Sequence, residues 1–308
     1  MKRKKEDWGA EMKDVLISII VPTYQRDDTL KFALESLVAQ TYKRFEIIVV
    51  DDNANAEWNA KVKEVIDEFV VLYPEIDLTY IVNEENCGSA QARNVGIEKA
   101  KGEYITFLDD DDIYLPEKLA KQIEFMEQGE FDYSVTDLQL HFKSGKLAEK
   151  KTHSYIEKTD SENMLLYHFM YHITGTDTMM FKSEYIREVG GFSSIDVGDE
   201  FYLMQKAIEG GGKFEYLPTC DVKALVHVSE QGVSSGDGKI RGENLLYEHK
   251  KKYFSVFPRK ARRYIRMRHY AVLAFAEKRR GRNFSFFGNA IKAIFCAPIA
   301  CIKLWWKR

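Results

Sequence analysis

Four consecutive aspartates, Asp109 to Asp112, directly follow the apolar segment Tyr104 to Leu108. Adjacent carboxylates repel one another, so a cation is expected to offset that cost, and hard divalent cations prefer carboxylate oxygen. A cation held here could bridge a diphosphate and neutralise the charge that develops on a leaving group. The alternative interpretation is a solvated acidic turn that caps a helix beginning near Pro116.

Polar residues also follow two earlier apolar segments. Pro22-Thr23-Tyr24-Gln25-Arg26 comes after the first segment, and Asp51-Asp52-Asn53 comes after the second. The stretch from Asn86 through Gly88 to Asn94 begins a predicted helix. In an open parallel sheet, ligands bind beyond the carboxyl ends of the strands. The three clusters and the aspartate run therefore predict one site at one edge of a sheet.

The elements that would position these residues alternate between strands and helices. Short, β-branched apolar runs are typical of strands buried on both faces, and alternation with helices predicts parallel βαβ units. The predicted strands are Val15 to Val21, ending at Pro22, then Phe45 to Val50, Leu78 to Val82 and Tyr104 to Leu108. The first predicted helix has Asp28 as its N-cap. The next two predicted helices span Trp58 to Leu72 and Ser89 to Ala100.

The second half of the chain is less regular. A helix is predicted from Pro116 to about Gln128, and another from Glu200 to Ile208. Strands are predicted at Phe131 to Phe142 and His153 to Glu157, around a turn at Ser144-Gly145, with extended pieces at Thr174 to Phe181 and Val222 to Val228. The Gly- and Ser-rich composition of Ser229 to Gly242 predicts a mobile loop, and basic helices follow from Glu243.

The segments VPTYQR, VVDDN, GSAQARN and FLDDDD, in this order, resemble the inverting family 2 glycosyltransferases with the GT-A fold. The resemblance covers roughly Val15 to Val228. It implies an α/β, GT-A-like fold with a Rossmann-like, mostly parallel sheet flanked by helices, followed here by a C-terminal basic helical extension. It also implies transfer of a sugar from a nucleotide-diphosphate sugar, expected to be a UDP-sugar, to an acceptor hydroxyl with the help of Mn²⁺ or Mg²⁺.

The resemblance assigns donor-binding roles to residues of the first half. The implied nucleotide-binding set is Pro22, Thr23, Tyr24, Arg26, Asp52, Asn86, Gly88, Arg93, Asp109 and Asp110. Tyr24 would stack near the base, Asp52 would hold the base edge, and Asp110 would touch the ribose. Arg93 would lie near the base or the diphosphate. Asp111 would be the principal metal ligand, as the last acid of a D-x-D that begins at Asp109, although four aspartates permit two registers.

The second half carries another part of the resemblance. Gly190-Gly191-Phe192 followed by Asp199-Glu200 resembles a family stretch in which an acid at the start of a helix is the catalytic base. Asp199 is the candidate base; the usual order of the two acids is reversed here, so Glu200 competes for the role. His227 is a candidate ligand of the metal or diphosphate, and a structural histidine is the alternative. Asp177 could line the acceptor pocket, and the Met-Met-Phe after it is expected in the core.

Charge is distributed unevenly over the 308 residues, whose formal net charge is -3. Residues 250–308 contain 17 Lys or Arg and one acid, Glu277, which gives +16. The stretch Phe284 to Arg308 is apolar but too interrupted to span a bilayer. Basic residues beside this stretch predict peripheral contact with an anionic membrane. Packing of this stretch on the core is the alternative. With four scattered cysteines and no apolar leader, the expected location is the cytoplasm, at the inner face of the cell membrane.

The chain is thus expected to have three parts. An extension covers 1–14, a catalytic domain covers 15–242 with a nucleotide-binding half (15–112) and an acceptor half (113–242), and a basic amphipathic helical tail covers 243–308. The expected partners are the nucleotide-sugar and a saccharide or lipid-linked acceptor. Nucleic-acid binding through the tail would leave the aspartate clusters unexplained. A sugar nucleotidyltransferase would have a Gly-rich loop where this chain has PTYQR, and no G-x-G-x-x-G indicates a dinucleotide site.

Overall fold

A seven-stranded sheet forms the centre of the protein, and a second sheet has four strands. This arrangement is seen in a computed structural model, which describes residues 14–195, 198–226 and 236–306. The strands are β1 (Ile17–Thr23), β2 (Phe45–Asp51), β3 (Asp77–Val82), β4 (Tyr104–Phe107), β5 (Ile113–Tyr114), β6 (Tyr133–Val135), β7 (Leu138–His141), β8 (Leu147–Lys151), β9 (Met179–Lys182), β10 (Phe214–Tyr216) and β11 (Val222–Leu225). Their order is β10-β6-β9-β4-β1-β2-β3 in the larger sheet and β5-β11-β7-β8 in the smaller one.

Helices flank the larger sheet and continue to the end of the described chain. They are α1 (Asp27–Val38), α2 (Ala56–Leu72), α3 (Ser89–Lys99), α4 (Lys118–Gly129), α5 (Ser161–Tyr171), α6 (Ser183–Glu188), α7 (Asp199–Glu209), α8 (Gly236–Lys251), α9 (Arg259–Arg279), α10 (Asn283–Cys296) and α11 (Pro298–Trp306). Every residue of β1 and β2 is buried, as expected for central strands covered on both faces. The predicted α/β class, with a mostly parallel sheet, is confirmed.

Pro22 lies inside β1, so the prediction that the strand ends before it was wrong. The carbonyl of Ile20 accepts from Leu108 on the β4 side, and the carbonyl of Thr23 accepts from Asp52 on the β2 side. Successive residues of a strand face opposite neighbours, so Pro22 faces the β4 side. Pairing with β4 ends at Phe107, opposite Ile20. The missing N–H therefore removes no ladder bond, and the strand continues.

The three helices predicted in the first half are present as α1, α2 and α3, but the predicted N-cap of α1 was wrong. The residue before α1 is Arg26, and Asp28 accepts only from the next amide, that of Thr29, within the first turn. Asp28 is therefore not the N-cap. In the second half, the helix predicted from Pro116 begins at Lys118, because Pro116 and Glu117 form a turn.

The predicted strands of the second half were partly wrong. Phe131 to Phe142 contains two strands, β6 in the large sheet and β7 in the small one, because the chain leaves one sheet for the other. The turn at Ser144-Gly145 is present, but its second strand is β8 and not His153 to Glu157. His153 instead packs as a buried residue with its Nδ1 2.8 Å from the Tyr155 hydroxyl. The segment Thr174 to Phe181 begins with a 3-10 helix, Thr176–Thr178, before β9.

Two helices, α5 and α6, carry no prediction, and the segment predicted as a loop to Gly242 is helical from Gly236. Residues 227–235 of that segment lie outside the described residues. The expected core position of Met179, Met180 and Phe181 is confirmed, since all three are fully buried.

The basic C-terminal region does not begin as a separate tail, because α8 and α9 share a core with α5 and α7. Phe169 and Phe201 pack there with Leu246, Phe257 and Ile265. The predicted domain boundary at residue 242 falls inside α8. Two basic side chains also cap the last turn of α5. Lys250 Nζ, which is buried, donates to the Phe169 carbonyl at 3.0 Å, and half-buried Arg268 donates to the Tyr171 carbonyl at 2.8 Å.

Close packing of α3 on β1 gives a test of the fold. A Cβ at Gly96 would lie 2.4 Å from Cγ2 of Ile20. Gly96→Ala should therefore lower the free energy of unfolding by about 1–3 kcal/mol, less the gain of about 1 kcal/mol that alanine brings to a helix. Gly288→Ala in α10 is the matched control, because no atom lies within 4 Å of its added Cβ. It should be neutral or stabilising in urea unfolding. Equal stability of the two variants would contradict the packing described here.

Candidate active site

The aspartate run forms a turn at the carboxyl end of β4. The amide of Asp112 donates to the carbonyl of Asp109 at 3.0 Å, which closes the turn before β5. Asp110, Asp111 and Asp112 are buried, and Asp109 is half-buried. Residues at the end of β1 contact this turn directly. The expected convergence at one sheet edge is therefore confirmed for two polar clusters, the one at the end of β1 and the aspartate run.

Asp110 and Asp111 are held by the segment after β1. One oxygen of Asp110 accepts from Thr23 Oγ1 at 2.8 Å and from the amide of Tyr24 at 3.2 Å. Arg26 Nη1 lies 2.9 Å from Asp110 Oδ1 and 2.7 Å from Asp111 Oδ2. Burial raises the pKa of Asp110 to about 6, although Arg26 opposes that shift. The ring of Tyr24 is 47% exposed, so it is accessible for the stacking that the sequence predicts.

Arg93, at the second turn of α3, joins the aspartate turn to the start of α7. Its Nη2 lies 2.6 Å from Asp109 Oδ1, and its Nη1 lies 3.1 Å from Asp199 Oδ2. Burial alone would lower the pKa of this guanidinium, but the carboxylates of Asp109 and Asp199 raise it above its ordinary value. Arg93 is therefore a permanent cation between two carboxylates that are 90 residues apart in sequence.

The two acids at the start of α7 have different environments. Gly198 precedes the helix with φ +89°, and Asp199 is the first helical residue. Glu200 Oε2 accepts from the amide of Gly175 at 2.6 Å, and burial together with the charge of Asp199 raises the pKa of Glu200. Asp199 uses Oδ2 for Arg93, and its Oδ1 makes no hydrogen bond to any residue that the structure describes. Asp199 therefore keeps one carboxylate oxygen available to a ligand.

Asp52 organises the loop between β3 and α3. Its Oδ1 accepts from Asn83 Nδ2 at 2.8 Å and from the amide of Cys87 at 3.0 Å, and its Oδ2 accepts from the amide of Gly88 at 2.8 Å. Asn86 donates to the Asp52 carbonyl at 2.7 Å. The structure thus brings together three residues of the predicted nucleotide-binding set. The role of Asp52 at a base edge stays a prediction.

Asp177 and Asp112 form a buried acid pair behind the aspartate turn. Asp177 Oδ1 accepts from the amide of Asp109 at 2.9 Å, and Asp112 Oδ1 accepts from the amide of Leu225 at 3.0 Å. Burial raises the pKa of both carboxyls, and their mutual hydrogen bond raises the pKa of Asp177 further while it opposes the rise for Asp112. Asp177 therefore supports the turn from the 3-10 helix before β9. Its place in an acceptor pocket stays a prediction.

The donor set fits a hard divalent cation. Within the described residues, the carboxylates of Asp109, Asp112 and Asp177 each offer an oxygen within 4.8 Å of the others. Asp109 belongs both to this group and to the predicted ligands. The other two members are Asp112 and Asp177, whereas the sequence predicts Asp111. The carboxylate of Asp111 instead contacts Arg26. The role of Asp111 as a ligand stays a prediction. His227, the other predicted ligand, lies outside the described residues.

Sequence reasoning missed three supporting residues. Asn94 fixes the Gly191-Phe192 loop, since its side chain both accepts from the Phe192 amide at 2.8 Å and donates to the Phe192 carbonyl at 2.9 Å. Lys118, which is buried, donates to Thr106 Oγ1 at 2.7 Å and to the Tyr114 hydroxyl at 2.8 Å, and burial lowers its pKa well below the ordinary range. Asn94 stood in a recognised motif. Nothing in the spacing of Tyr114 and Lys118 indicates their contact.

Comparison with known proteins identifies relatives over much of the chain. The family model described as Glycosyl transferase family 2 matches residues 18–190. An uncharacterized glycosyltransferase of Methanocaldococcus jannaschii is 30% identical over 211 residues, which are 67% of this chain and 69% of that protein. An uncharacterized glycosyltransferase of Rickettsia bellii is 35% identical over 138 residues, 45% of this chain. The match spans only 19% of the length of that Rickettsia protein.

A relative with a named substrate is the Escherichia coli UDP-Glc:alpha-D-GlcNAc-diphosphoundecaprenol beta-1,3-glucosyltransferase WfgD. It is 37% identical over 115 residues, which cover 37% of this chain and 42% of the relative.

Solved structures show the same fold at low sequence identity. Residues 1–349 of Staphylococcus aureus TarS, in complex with UDP-GlcNAc, give a TM-score of 0.60 at 17% identity, with 91% of each chain covered. A Pyrobaculum calidifontis mannosyltransferase, in complex with GDP-Man and Mn²⁺, gives a TM-score of 0.54 at 17% identity. The match covers 96% of this chain and 77% of the mannosyltransferase chain. At this identity the likeness establishes the fold alone, and that fold is GT-A.

Proposed function

Because the chain belongs to glycosyl transferase family 2, we propose that it transfers a sugar from a nucleotide-diphosphate sugar to an acceptor hydroxyl with inversion at the anomeric carbon. The observation that carries this proposal is the bridge made by Arg93 between Asp109 and Asp199, at 2.6 and 3.1 Å. The guanidinium of Arg93 thereby contacts both Asp199, the candidate base from the second half of the chain, and the acidic turn of the first half. Inverting transfer needs these two groups within reach of one anomeric carbon.

In the proposed reaction Asp199 accepts the proton of the acceptor hydroxyl as that oxygen bonds to the anomeric carbon. The bond from that carbon to the diphosphate breaks on the opposite side, and the nucleoside diphosphate leaves with the bonding electrons. Arg93 orients Asp199 and holds Asp109 in the turn. A divalent cation, Mn²⁺ or Mg²⁺, bound by the carboxylates of the turn would supply neutralisation of the charge on the leaving diphosphate.

The proposed donor is a UDP-sugar, held by the segment after β1 and by the Asp52 loop. Tyr24 supplies an exposed ring for the base, and the amides of the loop that Asp52 fixes are close to the start of α3, where the positive helix end favours a phosphate. Two similar proteins are named or solved with uridine nucleotides, and one with GDP-Man. These names support uridine without identifying the sugar.

The proposed acceptor is a saccharide or a lipid-linked saccharide of cell-surface polysaccharide or glycolipid synthesis. The name of WfgD specifies a diphosphoundecaprenol acceptor, and a putative teichuronic acid biosynthesis glycosyltransferase of Bacillus subtilis, TuaG, is 32% identical over 139 residues. Such acceptors lie at a membrane, so the basic C-terminal region is proposed to make peripheral contact with the inner face of the cell membrane. Among the described residues, no helix is both long and apolar enough to cross a bilayer.

A donor screen tests the proposed reaction. The protein is incubated with UDP-, GDP- and dTDP-sugars, with and without Mn²⁺ or Mg²⁺, and release of the nucleoside diphosphate is measured. We expect slow hydrolysis of at least one UDP-sugar that requires the cation and that Asp199→Asn reduces. Formation of a nucleotide sugar and pyrophosphate from UTP and a sugar 1-phosphate would instead identify a nucleotidyltransferase.

A further inference from the structure

The last two described helices, α10 and α11, expose many large apolar side chains. Phe284 is 96% exposed, Phe295 80% and Ile299 73%. Residues three or four apart share one side of a helix, so the exposed apolar residues of α10 form a single face, and α11 exposes two further apolar side chains after it. We call this the apolar face; it consists of Phe284, Phe287, Ile291, Ile294, Phe295, Ile299 and Ile302. Leaving so many large apolar side chains in water is unfavourable unless a partner covers them.

Within the part of the chain that the structure describes, packing on the core does not cover this face. The opposite side of α10 contacts α9 through the small residues Ala290 and Ala293, which lie in a cluster with Met267, Ala271 and Cys301. The short side chains let the two helices approach closely, so that the apolar face points outward. The predicted alternative, packing of this stretch on the core, therefore describes only one side of α10.

Many arginines of α9 have partners within the protein. Arg263 Nε donates to the carbonyl of Cys296 at 2.7 Å, Arg266 lies 5.4 Å from the centre of the Phe254 ring, and Arg268 caps α5. These residues hold α10 and α5 in place. The +16 charge of residues 250–308 is consequently not all available to an external partner.

The charge that borders the apolar face is nevertheless positive. Lys278, Arg279 and Arg282 are exposed just before and at the start of α10, and Lys292 is exposed within it. Neither α10 nor α11 contains an acid. Apolar side chains with a basic border match the surface of an anionic bilayer, where aromatic and aliphatic groups enter the headgroup region and cations meet lipid phosphates.

We infer that the apolar face of α10 and α11 inserts into an anionic lipid surface, and that this insertion, more than the charge of α9, holds the protein there. The inference rests on the membrane contact proposed above and specifies its surface and its force. Each basic residue near such a surface contributes attraction that salt screens, whereas apolar insertion is insensitive to salt. Binding should therefore weaken as salt rises and yet persist.

Binding to vesicles of phosphatidylglycerol and phosphatidylcholine tests the inference. The double variant Phe287→Ser/Phe295→Ser should lower the partition coefficient about 10-fold or more, because two large apolar side chains no longer leave water. The matched control is Phe32→Ser/Val71→Ser, which changes side chains of the same exposure, 60% and 80%, in α1 and α2. It should bind vesicles like the unmodified protein. Lys278→Gln/Arg279→Gln should have a smaller effect. That effect should disappear at about 0.5 M salt, because salt screens the attraction between exposed charges.

Three results would overturn the inference. Unchanged binding by Phe287→Ser/Phe295→Ser, with loss in the charge variant, would assign the contact to the basic residues. A dimer in sedimentation that this double variant separates would assign the apolar face to a second copy of the chain. Absence of binding by the unmodified protein would remove the membrane contact altogether. Cation-dependent turnover of the donor, measured on the same samples, reports separately on the proposed reaction and should be equal in all variants.

Discussion

Asp199→Asn is expected to lower turnover by roughly 10²- to 10⁴-fold, because an amide cannot accept the proton of the attacking hydroxyl. The asparagine oxygen can still accept from Arg93 Nη1, which lies 3.1 Å from Asp199 Oδ2 in the unmodified protein. The bridge to Asp109 should therefore persist, and the KM for the donor should change little. Steady-state kinetics with a donor and acceptor pair from the screen measure both constants.

Glu200→Gln is the matched variant on the same helical turn. The glutamine oxygen can keep the hydrogen bond from the Gly175 amide, so the loop before β9 should stay in place. We expect a loss of turnover below about 10-fold, because Asp199 and not Glu200 is the proposed base. If Glu200→Gln loses turnover and Asp199→Asn retains it, the base has been assigned to the wrong residue of the pair.

Asp111→Ala is expected to abolish cation-dependent transfer while leaving the protein folded. Loss of several kcal/mol of charge stabilisation corresponds to a decrease of roughly 10²- to 10³-fold or more. Arg26 contacts both Asp110 and Asp111, so it keeps one carboxylate partner in the variant. Removal of one buried carboxylate also lessens the repulsion within the turn. Without added metal, urea unfolding should show no loss of stability.

The experiment measures turnover as a function of Mn²⁺ and Mg²⁺ concentration. Asp67→Ala is the control, since Asp67 is exposed on α2 and pairs with Lys63, far from the turn in sequence. It should follow the cation dependence of the unmodified protein. Full activity of the unmodified protein in chelator, or of Asp111→Ala with metal, would refute a role for a cation at this residue. Loss in Asp112→Asn alone would favour the group of Asp109, Asp112 and Asp177 as the ligands.

The first half of the fold follows closely from the sequence because its signals are local. The β-branched runs of β1 and β2 are buried on both faces, and the predicted strand and helix bounds there are correct to within a few residues. The second half resisted prediction because its chain moves between two sheets. Phe131 to Phe142 has the composition of one strand, but tertiary pairing divides it into β6 and β7.

The sequence alone determined which residue types reach the carboxyl edge of the sheet, since each cluster lies at or soon after the end of a strand. It could not determine how they pair, because hydrogen bonds between distant segments leave no periodic pattern. The bridge from Asp109 through Arg93 to Asp199 and the acid pair of Asp112 and Asp177 are contacts of that kind.

The C-terminal region shows the same division. Its charge and apolar content were evident from composition, but composition does not say which side chains already have contacts within the protein. Only the tertiary structure assigns Lys250 and Arg268 to the end of α5 and leaves the apolar face of α10 and α11 in water. The physical reason is that a side chain makes one set of contacts at a time, and the fold decides which of its possible partners lies within reach.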